Sequence, residues 1–421
     1  MTTHKKRIID NFISLSVVQG LSLLFPLIIF PYLVRILGVE GFGVFSLIQA
    51  VIMYADLLVS FGFGLSATKA IARNVGKDLH TNNVISAVFF IKIILFIIPI
   101  ALFLLSSLFV PMLRHQFVYL LIASLYLLGN ILFPDWYFQG IQKMRSITVV
   151  TFISKCISFL LIIFFVKKSD DIVMAVFAVS IGNFIAGLIG FFLLLKSFSW
   201  KFIFAPKRFV MAFFKESAYV FSSIILVPLY STINLFILQY FTNPLMVGYY
   251  AISEKIYSAL SMLTSVANRT FYPHLTQLFK TSQTGFENNV KKLSGYFAVG
   301  FSLLAIAQFF GAEYIVRFLS GKHNIQDTGY AIDILRIMSI AVMFSPFGSF
   351  YFQLLIIQGR KKTAVRNIFS VVLINMITAA TLAYFFQGKG MAVNLCIIVF
   401  FIALFNYYSY QHKSSLHKIQ Q

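Results

Sequence analysis

Charge is what this sequence has least of. Only 11% of its 421 residues are Asp, Glu, Lys or Arg, less than half the share of an ordinary soluble domain. A soluble globule of this length could not cover its surface with so little. Cysteine is equally scarce, and Cys156 and Cys396 alone exclude a disulfide scaffold. No GxxxxGK[ST], HExxH or GxSxG sequence occurs, so neither ATP hydrolysis nor hydrolase chemistry is encoded in a recognisable form. The seven histidines lie in connections and tails without metal-ligand spacing. No cofactor and no metal is expected, and the chain is not read as an enzyme.

What is present is apolar length. Hydrophobic residues make up 59% of the chain and aromatic ones 17%; mean hydropathy is +0.87. These values exclude disorder. The apolar runs are long and continuous, which argues for helices rather than the short alternating strands of a membrane barrel. The expected class is therefore an all-α polytopic membrane protein. Twelve spans fit: 10–34, 42–66, 83–109, 117–140, 148–166, 172–195, 216–240, 247–272, 293–312, 331–357, 365–386 and 390–410. The connections that remain are too short for a soluble domain. The basic stretch Met1–Arg7 precedes an apolar run too long for a secretory signal, and it reads as the start of the first helix.

The net charge is +21. Of the 34 basic residues, 22 fall in the alternate segments that include the N-terminus, 7 in the opposite set and five inside spans. The positive-inside rule then puts both termini in the cytoplasm. The charge is a topology signal, not a nucleic-acid footprint. The longest cytoplasmic connection, Lys196–Lys215, carries five basic residues and Pro206. It divides the chain into two six-helix lobes, 1–200 and 201–421. Similar pairs recur in both: Gln139-Gly140 and Gln358-Gly359 close the fourth and tenth spans, and Gly43 and Gly248 sit in matching aromatic contexts. Halves with six spans each share one orientation, as in parallel-repeat transporters.

Polar residues inside spans are costly and face protein or water. The first span carries Asn11, Ser14, Gln19 and Ser22; the second Ser46, Gln49, Asp56 and Ser60. The seventh offers Ser223, Tyr230 and Asn234. The eighth runs Glu254, Tyr257, Ser258, Ser261, Thr264, Ser265, Asn268, an almost unbroken i, i+3/i+4 path. Ser and Thr alone also serve ordinary interhelical packing, but the charges point to a hydrated central cavity. Asp56, near mid-span, and Glu254 are the candidates for ion coupling. Lys255 and Arg269, on roughly one face of the eighth span, and Lys155 are the candidate cations for an anionic substrate. Tyr257, Ser261 and Tyr230 are candidate substrate contacts. Lys92 and Lys155 also lie close enough to span ends to snorkel. Asp333 and Arg336, at i, i+3, read as a local salt bridge. Asp135 reads as an anchor at the inner end of the fourth span. Pro26 and Pro31 are candidate hinges in the first helix.

Three stretches carry a resemblance. Pro31-Tyr32-Leu33-Val34-Arg35-Ile36-Leu37-Gly38 with Glu40-Gly41-Phe42-Gly43, then Phe63-Gly64-Leu65-Ser66-Ala67-Thr68-Lys69-Ala70-Ile71-Ala72, then Phe133-Pro134-Asp135-Trp136-Tyr137-Phe138-Gln139-Gly140, resemble signatures of the O-antigen flippase family, Wzx, of the MATE-like superfamily. The second signature more often has Arg where Lys69 stands. The resemblance implies a flippase that moves an undecaprenyl-pyrophosphate-linked oligosaccharide from the cytoplasmic to the periplasmic leaflet of the bacterial inner membrane, by alternating access and coupled to H+ or Na+. It implies a place in lipopolysaccharide biosynthesis, beside a polymerase and a chain-length regulator. An exporter of small molecules and an integral-membrane O-antigen polymerase are the competing readings. The latter is disfavoured by the short outer loops.

Overall fold

The computed structural model describes the backbone of residues 3–74, 76, 78–109, 117–198, 200, 203–321 and 328–418. Within these, it describes every side chain except those of 3–24, 26, 27, 106–109, 223, 269 and 413–418. The predicted arc of Asn11, Ser14, Gln19 and Ser22, and the side chains of Pro26, Ser223 and Arg269, therefore fall outside the described residues.

The described residues form helices and no strands. In chain order they are α1 (Thr3–Ser60), α2 (Phe63–Arg73), α3 (Asp78–Phe109), α4 (Phe117–Leu132), α5 (Asp135–Gly140), α6 (Met144–Phe165), α7 (Ile172–Ser197), α8 (Lys207–Ile224), α9 (Leu226–Ser231), α10 (Ile233–Phe241), α11 (Pro244–Thr281), α12 (Gln283–Ser320), α13 (Thr328–Ile357) and α14 (Lys361–Lys418). Nine stretches among the described residues are long and apolar enough to cross a membrane. Two of them carry a non-helical residue inside a single long helix, Gly38 (φ 71°) in α1 and Gln387 (φ 51°) in α14. The polar stripe of α11 keeps that helix out of the nine. Splitting the two broken stretches and restoring α11 gives the twelve spans read from the sequence.

The break in α14 is a full reversal. Asn394 donates to Asn375 Oδ1 at 2.8 Å, and Thr378 donates to Asn394 Oδ1 at 2.6 Å. In a continuous helix Asn375 and Asn394 would stand roughly 28 Å apart. Residues 361–386 and 388–418 are thus two antiparallel helices joined by a turn at Gln387. In α1 the helix continues through Pro26 and Pro31, and the non-helical residue is Gly38, the φ region that glycine alone enters cheaply. Pro228 fragments the seventh span: its ring denies a helical partner to the carbonyl four residues back, where α8 ends.

The chain divides into two compact units. The first comprises Met1–Leu37 with Leu47–Ile225, and the second Gly38–Ser46 with Leu226–Gln421. In the first, α4, α6 and α7 meet through small residues. A Cβ on Gly129 would collide with the Asn183 carbonyl, and one on Gly187 with Gly129 itself. Such approaches raise van der Waals contact where lipid supplies no hydrophobic drive. Asn183 Nδ2 ties the same pair by donating to Tyr126 O at 2.8 Å. In the second unit, Gly43 abuts the Pro244 carbonyl and Gly248 abuts Val39, again leaving no room for a Cβ.

Candidate functional site

The second unit holds a cavity of about 380 Å³, within the ordinary range of ligand pockets. The helical period creates it. On α11, Glu254, Tyr257, Ser258, Ser261, Thr264 and Ser265 fall on one face and line it together. Tyr230 of α9, Ser345 and Ser349 of α13, and Asn406 of α14 line it from the other sides. Three of the predicted substrate contacts, Tyr230, Tyr257 and Ser261, thus come together with Glu254. Ser258 donates to Glu254 Oε1 at 2.7 Å and fixes that carboxylate one turn away. Asn268 donates to Ser349 Oγ at 2.7 Å and pins α11 to α13. Tyr250, Ser345, Ser349 and Asn406 are lining residues that sequence reasoning did not single out. The signal available for the last was a polar amide in an otherwise apolar helix.

Two of the three candidate cations, Lys255 and Lys155, do not join this cavity. Lys255 is exposed, about 100° around α11 from Glu254, and does not line it. Lys155 belongs to the first unit, half-buried on α6.

The first unit holds a different polar centre. Lys92, on α3, is only 3% exposed. Its ammonium lies 2.9 Å from both the main-chain and the side-chain oxygen of Asn130 on α4. Asn130 and Ser60 are hydrogen-bonded to each other at 3.2 Å. The carboxylates of Asp56 and Asp135 both exert their charge on Lys92. Asp56 Oδ1 is buried without a hydrogen-bond partner. Snorkelling of Lys92 is therefore overturned: the side chain is buried and donates to both oxygens of Asn130. Asp135, the first residue of α5, accepts the Trp136 N–H at 2.8 Å. The expected Asp333–Arg336 bridge is also overturned. Asp333 pairs with Lys389 at 2.7 Å, while the Arg336 guanidinium sits over the Phe309 ring, 5.8 Å from its centroid.

The second and third of the segments that carried the resemblance pack on one another inside the first unit. Thr68 Oγ1 donates to Trp136 O at 3.1 Å, and Gly140 lies so close to Ile71 that a Cβ would clash. Ser66 and Ser217 hydroxyls are 2.8 Å apart, and Lys69 pairs with Glu216 at 2.6 Å. These residues build the joint between α2, α5 and α8 and do not line the cavity of the second unit.

Residues 8–279 match the model of a family described as polysaccharide biosynthesis protein. The chain belongs to that family. Two relatives cover nearly its whole length. A Shigella dysenteriae protein described as "Putative O-antigen transporter" is 28% identical over 400 residues, 94% of this chain and 98% of its own. An Escherichia coli (strain K12) protein of the same description is 29% identical over 415 residues, 96% and 98% respectively. The fold of this family member is similar to that of the lipid II flippase MurJ in an inward closed conformation. That match has a TM-score of 0.71 and 16% identity, over 95% of this chain and 87% of that one. It is similar also to a multidrug resistance MATE family transporter of the MOP superfamily in its inward-facing conformation. There the TM-score is 0.68 at 16% identity, over 93% and 98%. The all-α, multi-pass membrane fold expected from composition is thereby borne out.

Proposed function

We propose that this chain is a flippase that moves an undecaprenyl-pyrophosphate-linked oligosaccharide, an O-antigen repeat unit, across the bacterial inner membrane from the cytoplasmic to the periplasmic leaflet. The observation that carries the reading is likeness over nearly the full length to two proteins described as O-antigen transporters. The physical requirements agree with it. The polyprenyl tail can remain in the bilayer while only the head group crosses. A hydroxylated cavity replaces the water lost by the sugar, with Tyr230, Tyr257 and Ser261 as its contacts. Lys255, Arg269 and Lys155 supply cations for the pyrophosphate. Alternating access lets the site open to one side at a time. Asp56, beside Lys92 and Asp135, is the coupling group for H+ or Na+. Both termini lie in the cytoplasm, and the polymerase and chain-length regulator act on what is delivered.

The test is a deletion strain, with the leaflet of the lipid-linked repeat unit read by a sugar label that cannot cross the membrane. Accumulation in the cytoplasmic leaflet, reversed by restoring the gene, is the expected result. A repeat unit that reaches the periplasm but stays unpolymerised points to a polymerase. Normal surface polymer points to an exporter.

A further inference from the structure

The cavity of the second unit has a sign. Among its described lining residues Glu254 is the one Asp, Glu, Lys or Arg side chain, and it is acidic. Lys255, the adjacent cation, is exposed and faces elsewhere. The remaining polar lining is hydroxyl and amide. Thr264 is 3% exposed, and its hydroxyl has no hydrogen-bond partner. A buried polar atom without a partner costs free energy, so this wall is built for a ligand rich in donors and acceptors. A carboxylate accepts hydrogen bonds from hydroxyl, amide and ammonium groups. It repels another carboxylate, and more strongly here than in water because the surroundings are less polarisable.

Resting on the flippase reading, we propose that this cavity is a sugar subsite for neutral and amino sugars, and that Glu254 excludes sugars bearing a carboxylate. Ser258 holds the Glu254 carboxylate in place. The hydroxyls along α11 accept and donate to the ring substituents, and the rings of Tyr230 and Tyr257 give the apolar faces of a pyranose a surface to lie on.

The experiment uses the purified full-length chain in detergent. Binding of the methyl glycosides of N-acetylglucosamine, glucosamine and glucuronic acid is measured by saturation-transfer NMR titration. The first two are expected to bind at least tenfold more tightly than the third. Glu254→Gln should shrink that gap below threefold, and Glu254→Lys should invert it. Equal binding of glucuronide and neutral glycoside by the unaltered chain overturns the proposal, as does absence of binding by all three. That comparison decides the matter even where a variant does not fold. Discrimination unchanged in a folded Glu254→Gln chain also overturns it. Translocation of a lipid-linked repeat unit is scored separately in vesicles. A chain that binds sugars with this preference and moves no lipid sinks the flippase reading and leaves the subsite standing.

Discussion

The Lys92 ammonium rests 2.9 Å from two oxygens of a single residue, the main-chain and side-chain carbonyls of Asn130. Burial inside an apolar bundle disfavours its charged form, and Asp56 and Asp135 oppose that electrostatically. Removing one member of such a group exposes the others. Lys92→Met should cost about 3–5 kcal/mol in stability. Much of that loss should return in the double variant with Asp56→Asn, which also removes a negative charge. Thermal unfolding of the four proteins in a double-mutant cycle checks this; additive losses would mean that the two residues do not interact.

The proposed coupling group, Asp56, belongs to the same centre. Asp56→Asn keeps the shape of the side chain and removes its ability to bind a proton or sodium ion. Transport by this variant should lose its dependence on the proton or sodium gradient. The check is flux in vesicles with each gradient imposed in turn. An ion dependence identical to that of the unaltered protein would place the coupling group elsewhere.

Packing supplies a third prediction. Gly129 and Gly187 let α4 and α7 approach until their backbones touch. Gly129→Ala should destabilise the first unit by about 1–3 kcal/mol, the usual cost of an inserted methyl that must push backbone aside. Gly295, which has open space where a Cβ would stand, is the control, and its replacement by Ala should be tolerated. Unfolding midpoints in detergent distinguish the two.

The connection between α6 and α7 should respond to acid. The Asp171 carboxylate accepts the N–H groups of Lys167 and Lys168, each at 2.8 Å. These two bonds hold its pKa below the ordinary carboxylate value. A depressed folded pKa means that its contribution is present above the unfolded value of roughly 4 and is lost as pH falls through the folded value. Amide exchange at Lys167 and Lys168, corrected for intrinsic pH dependence, should accelerate only below that range. Asp171→Asn should weaken the protection and abolish its pH dependence.

The polar path on α11 was legible because helical periodicity alone puts residues three and four apart on one face. Glu254, Tyr257, Ser258, Ser261 and Thr264 line one cavity as that period requires. The twelve spans were legible for a related reason, since each needs a continuous apolar run. Pairing across helices was not. Depth along α3 suggested that Lys92 could reach the interface, yet its partner stands 38 positions away on another helix. Asp333 chose Lys389, 56 positions distant, over Arg336 on its own helix. Local spacing limits what can touch within a helix and says nothing about competitors brought in by folding. The buried amides of α14 were visible as unusual letters in an apolar stretch, but only the reversal at Gln387 shows what they bond to.

Those amides have a consequence of their own. Asn234, Asn375, Asn394 and Thr378 form a continuous chain of hydrogen bonds, and the three asparagines are fully buried. None of the four groups titrates in water's accessible range or carries charge, so neither acidity nor salt can loosen them. The first unit is fastened differently, around an ammonium and two carboxylates that a single proton can rebalance. A protonation signal can therefore act on the Lys92 cluster, whereas the asparagine clasp is indifferent to it.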